Sequence, residues 1–132
     1  MNDDYVKKWV MKAINDINVA KHELAQSESE MVTDAICFHC QQSVEKFLKA
    51  YLILKKIEIG KTHNLEFILE LCKKQDLDFE SLDVGNLSFY AVAVRYPDEF
   101  HVPSVQESKE SYRIASMVRD FILRKLELDR DI

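Results

Sequence analysis

Two residues in the second half of the chain, Arg95 and His101, carry side chains suited to chemistry on a phosphodiester. An arginine can hold a phosphate through two parallel hydrogen bonds and stabilise the charge that develops in a phosphorane-like transition state. A histidine transfers protons near neutral pH. Five residues separate the two within one loop, and such a pair could support RNA cleavage by attack of a 2′-hydroxyl, without metal. The same spacing also suits an arginine paired with Asp98 or Glu99 beside an exposed histidine, and those two acids oppose the approach of a phosphate backbone. Tyr90, Tyr96 and Phe100 surround the loop; they either stack on a base or pack the loop onto its scaffold.

A second constellation is the row Gln41, Glu45 and Lys49, spaced at four-residue steps. Glu45 precedes Lys49 in the order that favours a helical ion pair. The row runs between two apolar rows, so it must either reach water or meet partners. Partners would make it a buried network that ties neighbouring helices together.

Other chemical signals lead elsewhere. Cys37-Phe-His-Cys40 has the spacing of a thiol or metal motif, with His63 and Cys72 as conceivable further ligands. Both Cys37 and Cys40 fall inside a predicted helix with no β-α-β pattern around them, so the cysteines read as small buried apolar residues and no metal is expected. Gly60-Lys61-Thr62 resembles the end of a phosphate-binding loop of the form G-x-x-x-x-G-K-S/T, but Lys55 stands where the first glycine belongs and no strand precedes it.

The elements that position these residues are all helical. The first helix spans about Asp3 to Gln26, with Val6, Val10, Ala13, Ile17, Ala20 and Leu24 inward. The second begins near Thr33, a candidate cap, and ends near Ile59-Gly60, where the glycine can take a left-handed conformation. Its apolar positions Ile36, Cys40, Val44, Phe47, Tyr51 and Leu54, widened by Cys37, Leu48 and Leu52, make it central to a bundle. Thr62 or Asn64 caps a third helix facing inward through Leu65, Ile68, Leu69 and Cys72. A fourth is spaced through Leu82, Leu87, Tyr90, Ala91 and Val94, although Asp83 and Gly85 weaken its first turn. Pro97 ends it, and residues 95–103 form the longest connection. Ser104 and Glu107 make a capping box for the fifth. There Tyr112, Ala115, Val118, Ile122 and Leu126 face inward, while Ile114, Phe121 and Leu128 form an extra apolar strip that suggests a dimer interface.

Composition agrees with this reading. Two glycines and two prolines in 132 residues are too few for a turn-rich β architecture. The length suits one domain, residues 1–132. A net charge of −5 argues against a generally basic nucleic-acid coat. No apolar run reaches the length of a membrane span, the acidic N-terminus lacks the form of a signal peptide, and three cysteines fit a reducing cytoplasm.

Three motifs then combine in order: Gln41-Gln42-x-x-Glu45-Lys46-x-x-Lys49-Ala50, Thr62-His63-x-Leu65, and Arg95-Tyr96-Pro97. Together they resemble the HEPN family (higher eukaryotes and prokaryotes nucleotide-binding), over most of the chain. The resemblance implies an all-α, up-and-down antiparallel bundle of four to five helices, similar to the C-terminal domain of kanamycin nucleotidyltransferase, and commonly a homodimer. It further implies binding of nucleotide or RNA and a minimal nucleotidyltransferase as partner, with no cofactor. In some members the pair acts as toxin and antitoxin, and the toxin is a metal-independent RNase. Its site is an arginine followed after four to six residues by a histidine, with both chains of the dimer contributing. Arg95 and His101 are the positions that match, with Tyr96 as an auxiliary; Gln41, Glu45, Lys49 and His63 are the matching nucleotide- or RNA-binding candidates. Nuclease members usually carry a small polar residue directly after the arginine, and the Arg-Tyr-Pro form here looks like a separate subgroup. A purely structural, partner-binding helical dimer is the alternative.

Overall fold

A computed structural model describes residues 3–93, 97 and 101–127. They form four α-helices, α1 (Asp3–Leu24), α2 (Thr33–Leu54), α3 (Leu65–Gln75) and α4 (Val105–Leu126), with two 3-10 turns at Leu77–Ser81 and Leu87–Ala91 between α3 and α4. No strand occurs among the described residues. The all-α bundle expected from the sequence is therefore the fold. No helix among the described residues is long and apolar enough to cross a membrane.

The wide apolar surface of α2 puts it at the centre. Ile36, Cys37, Cys40, Val44, Phe47, Leu48 and Leu52 are fully buried, and α2 packs against α1, α3, α4 and the second 3-10 turn. Its partners on α1 fix the direction. Val32 N–H donates to Glu23 at 2.9 Å, Ser43 Oγ donates to the Ala13 carbonyl at 2.8 Å, and Lys49 Nζ lies 6.0 Å from the centre of the Trp9 ring. Contacts descend α1 as they ascend α2, so the two are antiparallel. Along α4 the order is preserved: Cys37 meets Ser108 and Ser111, while Phe79 bridges Tyr51 to Phe121. The α2 and α4 directions thus agree, as in an up-and-down bundle.

Several element boundaries differ from the sequence reading, each for a physical reason. Thr33 is the first helical residue of α2, not its cap; the N-cap is Val32, which makes no side-chain cap bond. The Glu23 carboxylate, arriving from α1, takes up the Val32 N–H instead. At the other end α2 stops at Leu54. Lys56 adopts the left-handed conformation (φ 61°), Lys56 N–H bonds the Ile53 carbonyl and Ile57 N–H bonds the Leu52 carbonyl. That is the Schellman pattern, in which the apolar Ile57 packs back on the core. Gly60, also at positive φ, bends the loop further on. Residues 55–64 then carry the chain back along α2, so α3 starts beside the middle of α2, capped by the Asn64 side chain on Phe67 N–H at 3.0 Å.

Among the described residues the expected fourth helix is reduced to the 3-10 turn Leu87–Ala91; the other turn, Leu77–Ser81, lies before it. Asp83 accepts from Gly85 N–H at 2.8 Å, and Gly85 sits at φ 55°, which breaks helical geometry before Leu87. Leu82, Leu87, Tyr90 and Ala91 are nonetheless buried; Val94 lies outside the described residues. The extra apolar strip on α4 is also corrected. Ile114 is 4% exposed within one chain, and Phe121 packs edge-on against Phe79 at 4.8 Å. Leu128 lies outside the described residues. Ile114 and Phe121 are used inside the monomer and give no reason by themselves to expect a dimer.

Candidate functional site

Of the residues selected from the sequence, Gln41, Glu45, Lys49 and His63 come together. Glu45 is 4% exposed and accepts from three side chains: Gln41 Nε2 at 3.0 Å and His63 Nδ1 at 2.8 Å on one oxygen, Lys49 Nζ at 2.9 Å on the other. Gln41, fully buried, also donates to the His63 carbonyl at 3.4 Å and accepts from Gln42 Nε2 at 2.7 Å. A buried carboxylate is stable only when it is paired and hydrogen-bonded, and here both oxygens have donors. The network joins α2 to the turn before α3, and through Lys49 to Trp9 on α1. His63 is the member that reaches solvent: its side chain is 59% exposed, with Nδ1 held on Glu45.

Arg95 and Tyr96 lie outside the described residues, as do Asp98, Glu99 and Phe100. His101 is described, and it belongs to a second group. Its Nε2 lies 2.9 Å from Glu107 Oε2, and the same oxygen accepts from Tyr90 Oη at 2.7 Å. Glu107 also closes the capping box: Ser104 Oγ accepts from Glu107 N–H at 3.0 Å, and Glu107 Oε1 accepts from Ser104 N–H at 3.3 Å. The first turn of α4 therefore fixes the carboxylate that holds His101. The hydrogen bonds from Tyr90 and His101 keep the Glu107 carboxyl below the usual carboxylate range, so it acts as an acceptor. Burial pushes the Tyr90 hydroxyl well above its ordinary value, and the bond to Glu107 adds to that. Tyr90 is a donor throughout the neutral range.

These side chains open on a cleft of about 560 Å³ lined by Glu66, Gly85, Asn86, Ser88, Phe89, Tyr90, His101 and Glu107. Phe89 is 48% exposed and stands edge-on to the His101 imidazole at 5.3 Å. The Ser88 hydroxyl accepts from Leu65 N–H at 2.8 Å, which fastens the second 3-10 turn to the start of α3. The α3 N-terminus thus stands between the Glu45 network and the His101 cleft, with His63 before it and Glu66 after it.

The sequence reading did not select Glu107 as a site residue, nor Phe89 or Glu66. Glu107 was visible only as a helix cap; its second role depends on Tyr90 and His101, which the chain brings in from other segments. A third polar group was also missed. Asp16, 8% exposed, accepts from His39 Nδ1 at 2.8 Å and Lys46 Nζ at 2.6 Å across the α1–α2 seam.

The cysteines do not form a centre. Cys37, Cys40 and Cys72 are free and buried. Burial pushes each thiol up, Cys72 to about 12, so all three are protonated near neutral pH. Cys37 faces Ser108 and Ser111, whereas Cys72 lies against the Leu48 carbonyl. Among the described residues, no group of three or more histidines, cysteines or acids is placed to hold a metal ion.

The described residues thus form an all-α bundle with a histidine held by a carboxylate on a cleft. A family model described as the HEPN domain matches residues 6–126. The chain belongs to the HEPN family, whose members are nucleotide-binding or RNase-type domains. No curated protein and no solved structure matches it.

Proposed function

We propose that this HEPN protein binds RNA at the cleft between the Leu87–Ala91 turn and the start of α4, and cleaves it by 2′-hydroxyl attack. The observation that carries the reading is His101: it stands on the cleft wall, held by Glu107 and flanked by the exposed Phe89 ring. In the reaction the 2′-oxygen forms a bond to phosphorus and the bond to the 5′-oxygen breaks. One proton leaves the 2′-hydroxyl and one reaches the departing 5′-oxygen, giving a 2′,3′-cyclic phosphate and a free 5′-hydroxyl. His101 performs one of these transfers as general base or acid. Arg95, carried over from the family pattern, is the phosphate ligand and stabilises the phosphorane charge; Tyr96 is the auxiliary.

Gln41, Glu45 and Lys49 have the burial of a framework, which supports a supporting role for them and leaves His63 as the member able to meet a nucleotide. The family pattern supplies the rest of the proposal: a homodimer, working with a minimal nucleotidyltransferase as toxin and antitoxin. Incubating purified protein with RNA in the presence of chelator tests the catalytic reading.

One observation favours a second reading, a non-catalytic binding or scaffolding module. Glu66 and Glu107 put two carboxylates on the cleft, which disfavours a phosphate backbone, while Phe67, Phe89, Val92 and Val102 are exposed. That reading expects no cleavage but a saturable interaction with nucleotide or partner protein by calorimetry.

A further inference from the structure

We propose that Glu107 is a positioning residue for His101: it fixes the imidazole as the Nε2–H tautomer and leaves Nδ1 as the nitrogen that meets substrate. This rests on the cleavage reading given above.

The inference starts from what Glu107 can do. Its Oε2 takes two hydrogen bonds, from Tyr90 at 2.7 Å and from His101 at 2.9 Å, and its Oε1 takes the Ser104 N–H at 3.3 Å. An ionised carboxylate has no proton to give, so the proton between Glu107 and His101 belongs to Nε2. The tautomer follows, since a neutral imidazole with hydrogen on Nε2 has a lone pair on Nδ1. Among the described residues no side chain or backbone group is bonded to His101 Nδ1. Phe89 and Tyr90, with ring centres 5.3 and 6.4 Å from the imidazole, restrict its rotation.

Orientation is inherited from α4. The capping box holds Glu107 by two reciprocal bonds to Ser104, so the carboxylate is anchored at a helix start and not on the loop that carries His101. The opposite arrangement occurs elsewhere in the chain. His39 and His63 both use Nδ1 on their carboxylates, Asp16 and Glu45. Of these three carboxylate-bound histidines, His101 is the one that bonds its carboxylate through Nε2 and has no partner on Nδ1 among the described residues.

Glu107→Gln separates positioning from folding. Glutamine also serves at the third position of a capping box, so α4 keeps its start. Its amide can donate to Nε2 as well as accept, so the single tautomer is no longer enforced. Nitrogen-15 imidazole shifts on the labelled full chain read the tautomer, and cleavage of RNA in chelator reads the consequence. The expected wild-type signature is Nε2–H. In Glu107→Gln it becomes mixed or Nδ1–H, and cleavage falls by roughly 10²-fold. Tyr90→Phe keeps the tautomer with a smaller loss. Arg95→Ala abolishes cleavage with the tautomer intact, which separates failure of positioning from loss of the phosphate ligand. An Nδ1–H signature in the wild type would overturn the proposal. So would a Glu107→Gln protein with unchanged shifts and full cleavage. Wild-type protein that shows the Nε2–H signature but cleaves no RNA would refute the cleavage reading, and with it the positioning role in catalysis.

Discussion

Glu45 and Lys49 form an ion pair at 2.9 Å with side chains only 5% and 10% exposed, one helical turn apart on the central helix. Such a pair is costly to break and less costly to replace. Glu45→Ala leaves the Lys49 ammonium buried beside Trp9 and strips Gln41 and His63 of their acceptor. The expected loss is about 3–5 kcal/mol of stability by denaturant titration. Replacing both members with methionine is expected to cost much less, because no uncompensated charge remains.

Gly85 meets α4 at a second sensitive point. It sits at φ 55°, and a Cβ built there would lie 3.0 Å from Ile114 Cδ1. Gly85→Ala is expected to destabilise the fold by about 1–3 kcal/mol, chiefly through the left-handed backbone. Ile114→Glu places a charge in the core and is expected to unfold the chain, as loss of helical circular dichroism. A folded Ile114→Glu monomer would instead restore the dimer strip read from the sequence.

Acid and alkali should destabilise the fold through different groups. Hydrogen bonds from Tyr90 and His101 hold Glu107 below its ordinary value of 4.5, and Lys125 does the same for Asp76, whose ordinary value is 3.8. The unfolded chain therefore binds more protons in acid, so this stability is present above the ordinary values and is lost as pH falls through the lower folded ones. Denaturant midpoints of the wild type and Glu107→Gln are expected to converge as pH drops below about 4. Lys125 is raised from 10.5 to about 12 by Asp76 and Asp78. Its share is complete below 10.5 and disappears as pH rises through about 12, which Lys125→Met would show by a flatter alkaline limb.

The periodic helices were legible because their apolar faces are local facts. The α2 stripe, the Ser104–Glu107 box and the inward face of α3 were all readable from spacing, and Asn64 is the cap of the two candidates, Thr62 and Asn64. What could not be read was set by tertiary contacts. Glu23 ties down the Val32 N–H at the start of α2, where no side chain caps the helix, and Lys56 accepts a left-handed backbone because Ile57 gains a place on the core. The polar row posed a choice between ligand and framework. The burial of Gln41, Glu45 and Lys49 favours framework, while His63 keeps a solvent face. At the other group, His101 was singled out by type and by its spacing to Arg95, whereas the carboxylate it meets was not, since Glu107 already had a sufficient local role.

RNA cleavage by the wild type, Arg95→Ala and His101→Ala, assayed in chelator, tests the central claim most directly. The expected result is cleavage by the wild type that leaves 2′,3′-cyclic phosphate ends, with a loss of at least about 10²-fold in each variant. Full activity in both variants, or no cleavage by the wild type, would contradict it.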